Sequence, residues 1–259
     1  MTSDEIADHY ASGQEATRLI RSVHGRLEFI RTQELVRRFL KSPPARVLDV
    51  GGATGIHARW LADDKYQVHV VDIVDHHVES AASLPGVTAE VGDARKLASP
   101  AGSIDAVLLL GPLYHLTEAH DRELALRECH RVLRPGGVIF AAAISRYLAV
   151  MDPGTSEQWT PEVFDGIRAI VARGDYDGRS GFVSSHWHTA DELGDEVQLG
   201  GFRDVEVFGI EGPAWATLDA HGEEVFEERR EPTLECARLV EQDPLLMHAS
   251  AHLLAVGVA

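Results

Sequence analysis

Five short apolar runs, most of them separated by helical patterns, constrain this chain more than any other feature. They cover Arg46–Val50, Gln67–Asp72, Val87–Val91, Ala106–Leu110 and Val138–Ala143. None shows the strict apolar–polar alternation of a strand with one wet face, so each is expected to be buried on both sides, as in parallel sheets covered by helices. The runs between them at Ile56–Asp63, His76–Ser83 and Asp121–Leu133 read as helices, and Pro135-Gly136-Gly137 punctuates the last. Crossovers of this length are right-handed, which predicts a doubly wound, Rossmann-like α/β sheet.

The flanks are less regular. Residues 3–41 read as helical with breaks near Gly13 and Gly25, and Pro43-Pro44 stops the run. Beyond residue 145, helices are expected near 161–172, 189–199 and 222–241, with strands at 203–210 and 251–258. The reading is an N-terminal helical lid over 1–45 and one domain over 46–259, with cap insertions at about 145–200 and 211–250.

Totals narrow the function classes. A net charge of −17 opposes a broad phosphate-binding face and attraction to anionic membranes, so neither nucleic acid nor a membrane is the expected partner. The two cysteines, Cys129 and Cys236, suggest neither a disulfide framework nor a thiolate metal site. The first ten residues, MTSDEIADHY, show no signal-peptide pattern, and a cytoplasmic monomer or homodimer is the expectation.

The first apolar run ends in Asp49 and passes into Gly51-Gly52-Ala53-Thr54-Gly55, then a helix. The spacing departs from the dinucleotide pattern G-x-G-x-x-G and lacks the lysine of a P-loop. Two further acids follow at strand ends. Asp72 can accept both ribose hydroxyls of an adenosine, and Asp93 can accept from an adenine amino group. The fourth run opens at Gly111-Pro112, over the carboxyl edge where ligands of open α/β sheets bind.

The segments VLDVGGATG, VHVVDIV, VGDARKL, AVLLLGPLYHL and RVLRPGGVIF, in that order, resemble the class I S-adenosylmethionine-dependent methyltransferases, and more narrowly the bacterial small-molecule type with an LLLGPLYHL fourth strand. The resemblance covers about residues 25–145 and implies a seven-stranded sheet with a reversed terminal hairpin. It implies backbone contacts to the cofactor at Gly51 and Ala53, close helix approach at Gly55, ribose binding by Asp72 and adenine packing by Ile73. It further implies adenine contacts at Asp93 and Ala94, and carbonyls near the cofactor ammonium at Leu110 and Gly111. Ala53 stands where the family usually has glycine. Tyr10 and Arg31 are candidates for the cofactor carboxylate, with a core tyrosine and a surface arginine as the alternatives.

The implied activity is methyl transfer from S-adenosylmethionine, yielding S-adenosylhomocysteine, to an oxygen or nitrogen of a small molecule. A nicotinamide-dependent oxidoreductase and a non-catalytic S-adenosylmethionine-binding protein are the alternatives. His115 and His188 are the candidate bases, with a structural or cofactor-positioning role open to the first and a pocket-lining or structural role to the second. His24, Tyr114, Arg146, Tyr147, His186 and Trp187 are candidates for the acceptor pocket. His186 and His188 point the same way if the segment is extended, which invites a metal, but no third ligand is apparent nearby and none is expected.

Overall fold

Both faces of the central strands are covered, which explains their unbroken apolarity. The structure, a computed structural model, describes residues 19–151, 160–178 and 183–259. Strands β1 (Arg46–Val50), β2 (Gln67–Asp72), β3 (Val87–Val91), β4 (Ile104–Leu109) and β5 (Leu133–Ile144) run parallel. Strands β8 (Arg203–Gly209) and β9 (His252–Val258) complete one seven-stranded sheet in the order β3-β2-β1-β4-β5-β9-β8. β9 is antiparallel to both its neighbours, which is the reversed terminal hairpin.

Alternate residues serve opposite cores. Leu48, Val50, Val107 and Leu109 pack on one face with Leu126 and Cys129 of α5 (Ala119–Val132) and with Leu193 and Val197 of α8 (Ala190–Leu199). Val47, Val70, Leu108 and Phe140 pack on the other, against Leu35 and Val36 of α1 (Val23–Phe39) and Trp60 and Leu61 of α2 (Ile56–Asp63). Helix α3 (Asp75–Ala82) joins β2 to β3, and the single turn α4 (Pro112–His115) follows β4.

Residues 145–200 form α6 (Leu148–Met151), α7 (Pro161–Arg173), the two-residue strands β6 (Asp175–Tyr176) and β7 (Ser185–His186), and α8. Thr189 caps α8 in a reciprocal box with Glu192, which fixes where that helix begins. The helix expected over 222–241 is α10 (Phe226–Val240), and a further helix, α9 (Trp215–His221), precedes it across Gly222. Val23 and Leu27 of α1 pack into a separate cluster with Trp215, Leu218, Phe226 and Leu234, so the N-terminal helix and this insertion share one core. Among the described residues no helix is long and apolar enough to cross a membrane.

The chain winds from β1 outward to β3, then returns to add β4 on the other side of β1. Carboxyl-edge loops diverge at such a reversal, and the crevice between them is where ligands of open α/β sheets bind. Here it lies between the glycine turn after β1 and Leu110-Gly111 after β4.

Candidate active site

The turn after β1 is built around a buried acid. A Cβ on Gly52 would stand 2.7 Å from the Asp49 carboxylate, so only glycine lets the backbone pass that close. Gly55, at φ 85°, starts α2, and a Cβ there would meet Leu84 at 2.7 Å; its part is close packing, and it lines no part of the crevice. Ala53 adopts φ 47°, in the left-handed region that L-residues enter at a cost. Its N–H donates to Asp72 Oδ2 at 2.9 Å, tying the turn to the end of β2. Asp72 Oδ1 accepts from the Val74 amide at 3.0 Å and faces His77 Nδ1 at 3.3 Å. Burial, assisted by the neighbouring charge of Asp72, pushes the Asp49 carboxyl up to about 7, and its Oδ2 has no hydrogen-bond partner among the described residues.

Two lobes open from this turn and share Gly51, Ala53, Gly111 and Tyr114. The first encloses about 700 Å³ and is bordered by Asp72, Ile73, Asp93, Ala94 and His115. Arg95 grips Asp93 through its guanidinium, with its NH2 group 2.6 Å from Oδ2, and through its backbone amide at 2.8 Å. Those contacts outweigh burial and hold the carboxyl below its ordinary range. The second lobe encloses about 590 Å³ and is bordered by Asp49, Leu110, Glu28, Ile210 and His252.

Several residues expected at the site stand elsewhere. Tyr10 lies outside the described residues. Arg31 is fully buried, but its guanidinium donates to the Ile210 carbonyl at 3.1 Å, Glu34 at 2.5 Å and Glu241 at 2.6 Å, and it borders neither lobe. It joins α1 to the segments after β8 and α10, where two carboxylates compensate its charge. His188 is also fully buried and faces Glu196 at 3.2 Å; burial holds its ring below the usual histidine range. Glu196 is costly to bury, yet the hydrogen bonds and charges of His188 and Arg122 hold it down at about 2. His186 and Arg146 both pair with Glu192, and Trp187 stacks on Tyr176 at 5.2 Å. Tyr147 packs edge-on against His248. These five residues, His188 included, line neither lobe, because the β7–α8 connection turns its imidazoles toward the acids of α8. His115 borders the first lobe and not the second.

A group not anticipated from the sequence stands at the second lobe. Glu211, fully buried after β8, faces His252 Nδ1 at 2.6 Å and His24 Nε2 at 3.3 Å, and accepts from the His252 amide at 3.0 Å. Glu28 Oε2 lies 3.7 Å from His252 Nδ1. His24, expected at the acceptor pocket, stands behind Glu28 and His252 and stacks on Trp215 at 4.6 Å. Burial opposes charge on both partners of the His24–Glu211 contact; even so, the contact raises His24 and, with His252, keeps Glu211 far below the ordinary carboxylate range. The one local signal was the i, i+4 spacing of His24 and Glu28 on a helix.

Residues 47–137 match the model of a family described as a methyltransferase domain. Over 149 residues the chain is 30% identical to a ubiquinone/menaquinone biosynthesis C-methyltransferase of Acidiphilium cryptum, covering 54% of this chain and 59% of that protein. Over 126 residues it is 35% identical to an S-adenosyl-L-methionine-dependent Diels-Alderase of Talaromyces variabilis, covering 45% and 42% respectively. The chain therefore spans only about half the length of such relatives. Among solved structures, a SAM-dependent methyltransferase of Thermotoga maritima, titled a possible histamine N-methyltransferase, superposes with a TM-score of 0.60 at 19% identity over 98% of both chains, a likeness of fold. Residues 47–137, the stretch similar to a methyltransferase domain, hold the glycine turn and the acids of the first lobe.

Proposed function

We propose that this chain transfers a methyl group from S-adenosylmethionine to an oxygen or nitrogen of a small-molecule acceptor. The observation that carries the reading is Asp49, a buried carboxyl with an unpartnered oxygen beside the shared turn. A cation placed there supplies the charge that burial otherwise withholds. S-adenosylmethionine brings both an ammonium and a sulfonium, so the residues present fit it.

When bound, that cofactor supplies an activated methyl group, and the protein's share is orientation and exclusion of water. Asp72 and Asp93 are the acceptors for ribose hydroxyls and the adenine amino group, with Ile73 and Ala94 against the ring. The backbone of Gly51, Ala53, Leu110 and Gly111 borders the methionyl part. Tyr114, which lines both lobes, stands at their junction; the methionyl end reaches the Asp49 and Leu110 side of the second lobe, and the acceptor takes the side bordered by Glu28 and His252. His115 belongs with the adenosine end and is assigned to cofactor positioning. A strongly negative chain disfavours a polyanionic acceptor.

The matched methyltransferase domain and the acid at Asp93 favour this cofactor over a nicotinamide. Turnover distinguishes the reading from cofactor binding without transfer. Purified protein incubated with S-adenosylmethionine and pooled small hydroxyl and amine metabolites is expected to release S-adenosylhomocysteine and a product heavier by one methylene. A protein that binds the cofactor but yields no S-adenosylhomocysteine with any acceptor pool contradicts transfer.

A further inference from the structure

We propose that His24, Glu28, Glu211 and His252 form a binding site for a divalent first-row transition-metal ion at the edge of the second lobe. The part of the proposal concerning the acceptor rests on the methyl-transfer reading; metal binding itself does not. One ligand atom from each residue lies within 4.8 Å of the other three. In a four-coordinate site with bonds of about 2.0–2.2 Å, neighbouring donors stand about 3.3–3.6 Å apart. The His24–Glu211 separation, 3.3 Å, lies within that span, the Glu28–His252 separation, 3.7 Å, just above it, and the 2.6 Å His252–Glu211 contact must open.

Three features point to a cation. Two carboxylates meet two imidazoles around a fully buried Glu211, and one divalent ion balances the two carboxylate charges. The donors come from elements already held in place: α1 supplies the i, i+4 pair His24 and Glu28, while Glu211 and His252 flank the β8–β9 edge. Trp215, tied by its indole N–H to the Ala249 carbonyl, stacks on the His24 ring and restricts its plane. Two nitrogen donors select zinc, cobalt, nickel or iron over magnesium or calcium.

A second cluster, His186, His188 and Glu196, also has metal-ligand spacing. It is the weaker candidate, because Arg122 makes paired hydrogen bonds of 2.7–3.0 Å to Glu196 and already neutralises its carboxylate.

Glu28 and His252 border the lobe while His24 and Glu211 lie behind them, so a fifth ligand reaches the ion from the acceptor side. A bound ion there holds an acceptor through oxygen and lowers the pKa of a coordinated hydroxyl. The acceptor class this selects is one that presents a hydroxyl oxygen to that fifth position.

The test titrates chelator-stripped, folded protein with Co(II). One equivalent should bind with visible d–d bands, and Glu28→Gln and His252→Ala should each raise its Kd by more than about 100-fold, beyond the loss typical of an outer contact. Acetohydroxamate, an oxygen ligand, should shift the bands. Absence of saturable binding by folded protein overturns the site, as does binding untouched by these variants and abolished by His188→Ala. Bands that acetohydroxamate leaves unmoved overturn the acceptor role. Should His252→Ala not fold, the isosteric Glu28→Gln carries the test alone. Calorimetry with S-adenosylmethionine separates the two readings: cofactor binding without cobalt uptake removes the metal site only, and cobalt uptake without cofactor binding removes the methyl-transfer reading only.

Discussion

The Ala53 amide donates to Asp72 Oδ2 across 2.9 Å, so the turn after β1 and the acid ending β2 form one unit. Asp72 thus has two tasks, holding the turn and accepting ribose hydroxyls. Replacing it with alanine should weaken S-adenosylmethionine binding by about 1–3 kcal/mol, the cost of leaving polar groups without their charged acceptor. Unchanged affinity in a calorimetric titration would remove the ribose assignment.

Ala53 itself bears a backbone cost. A non-glycine residue in the left-handed region loses roughly 1–2 kcal/mol, while glycine restores most of this at an entropic cost of roughly 0.5–1 kcal/mol. Ala53→Gly should therefore raise stability by up to about 1 kcal/mol and leave the Asp72 contact intact. Denaturant unfolding checks it, and a clear loss of stability would show that the loop is held by something other than its backbone preference.

Asp49 predicts a pH effect. Its carboxyl holds its proton to about 7 in the fold, against an ordinary value of 3.8. A raised folded value favours the fold fully below the unfolded value and loses that benefit as pH rises toward and through 7, by roughly 4 kcal/mol in all. Asp49→Asn should accordingly stabilise the protein more at pH 8 than at pH 4. Cofactor binding should ionise the carboxyl, so titrations at pH 6 in buffers of differing ionisation enthalpy should report proton release. Heats that do not depend on the buffer would place the cation elsewhere.

Arg31 is a structural tie. Arg31→Met should cost about 3 kcal/mol of stability by removing one partner of a buried ion pair, yet leave the cofactor affinity of the folded fraction unchanged. Affinity falling tenfold or more would return Arg31 to the cofactor carboxylate.

His115→Ala should weaken cofactor binding and reduce turnover at saturating cofactor by less than tenfold. A general base contributes typically about 10²–10⁴-fold, so a loss of that size with unchanged affinity would restore the catalytic assignment.

How far the sequence could be read depended on the distance over which each feature is specified. The sheet was legible because burial on both faces leaves continuous apolar runs at β1, β2 and β4, and the hairpin strands β8 and β9 fell within a residue of their expected spans. Asp72 and Asp93 could be placed at the crevice because a strand end is a local feature, Ile73 and Ala94 followed from the resemblance, and all four line the first lobe. Arg31 was not, since the helix face that would aim it at the crevice also aims it at Glu241, which lies 210 positions along the chain. The histidines of SSHWHTADEL could be seen to share a direction, but not that α8 supplies the acids they face. Glu211 and His252 carried no mark in sequence; only the docking of α1 across the β8–β9 edge brings them to His24.

Side-by-side calorimetric titration of the purified protein with S-adenosylmethionine and NAD(H) tests the central claim most directly. Micromolar binding of S-adenosylmethionine, weakened in Asp72→Ala, with no heat from NAD(H), is the predicted result. Binding of NAD(H) alone, or no binding of S-adenosylmethionine by folded protein, would contradict it.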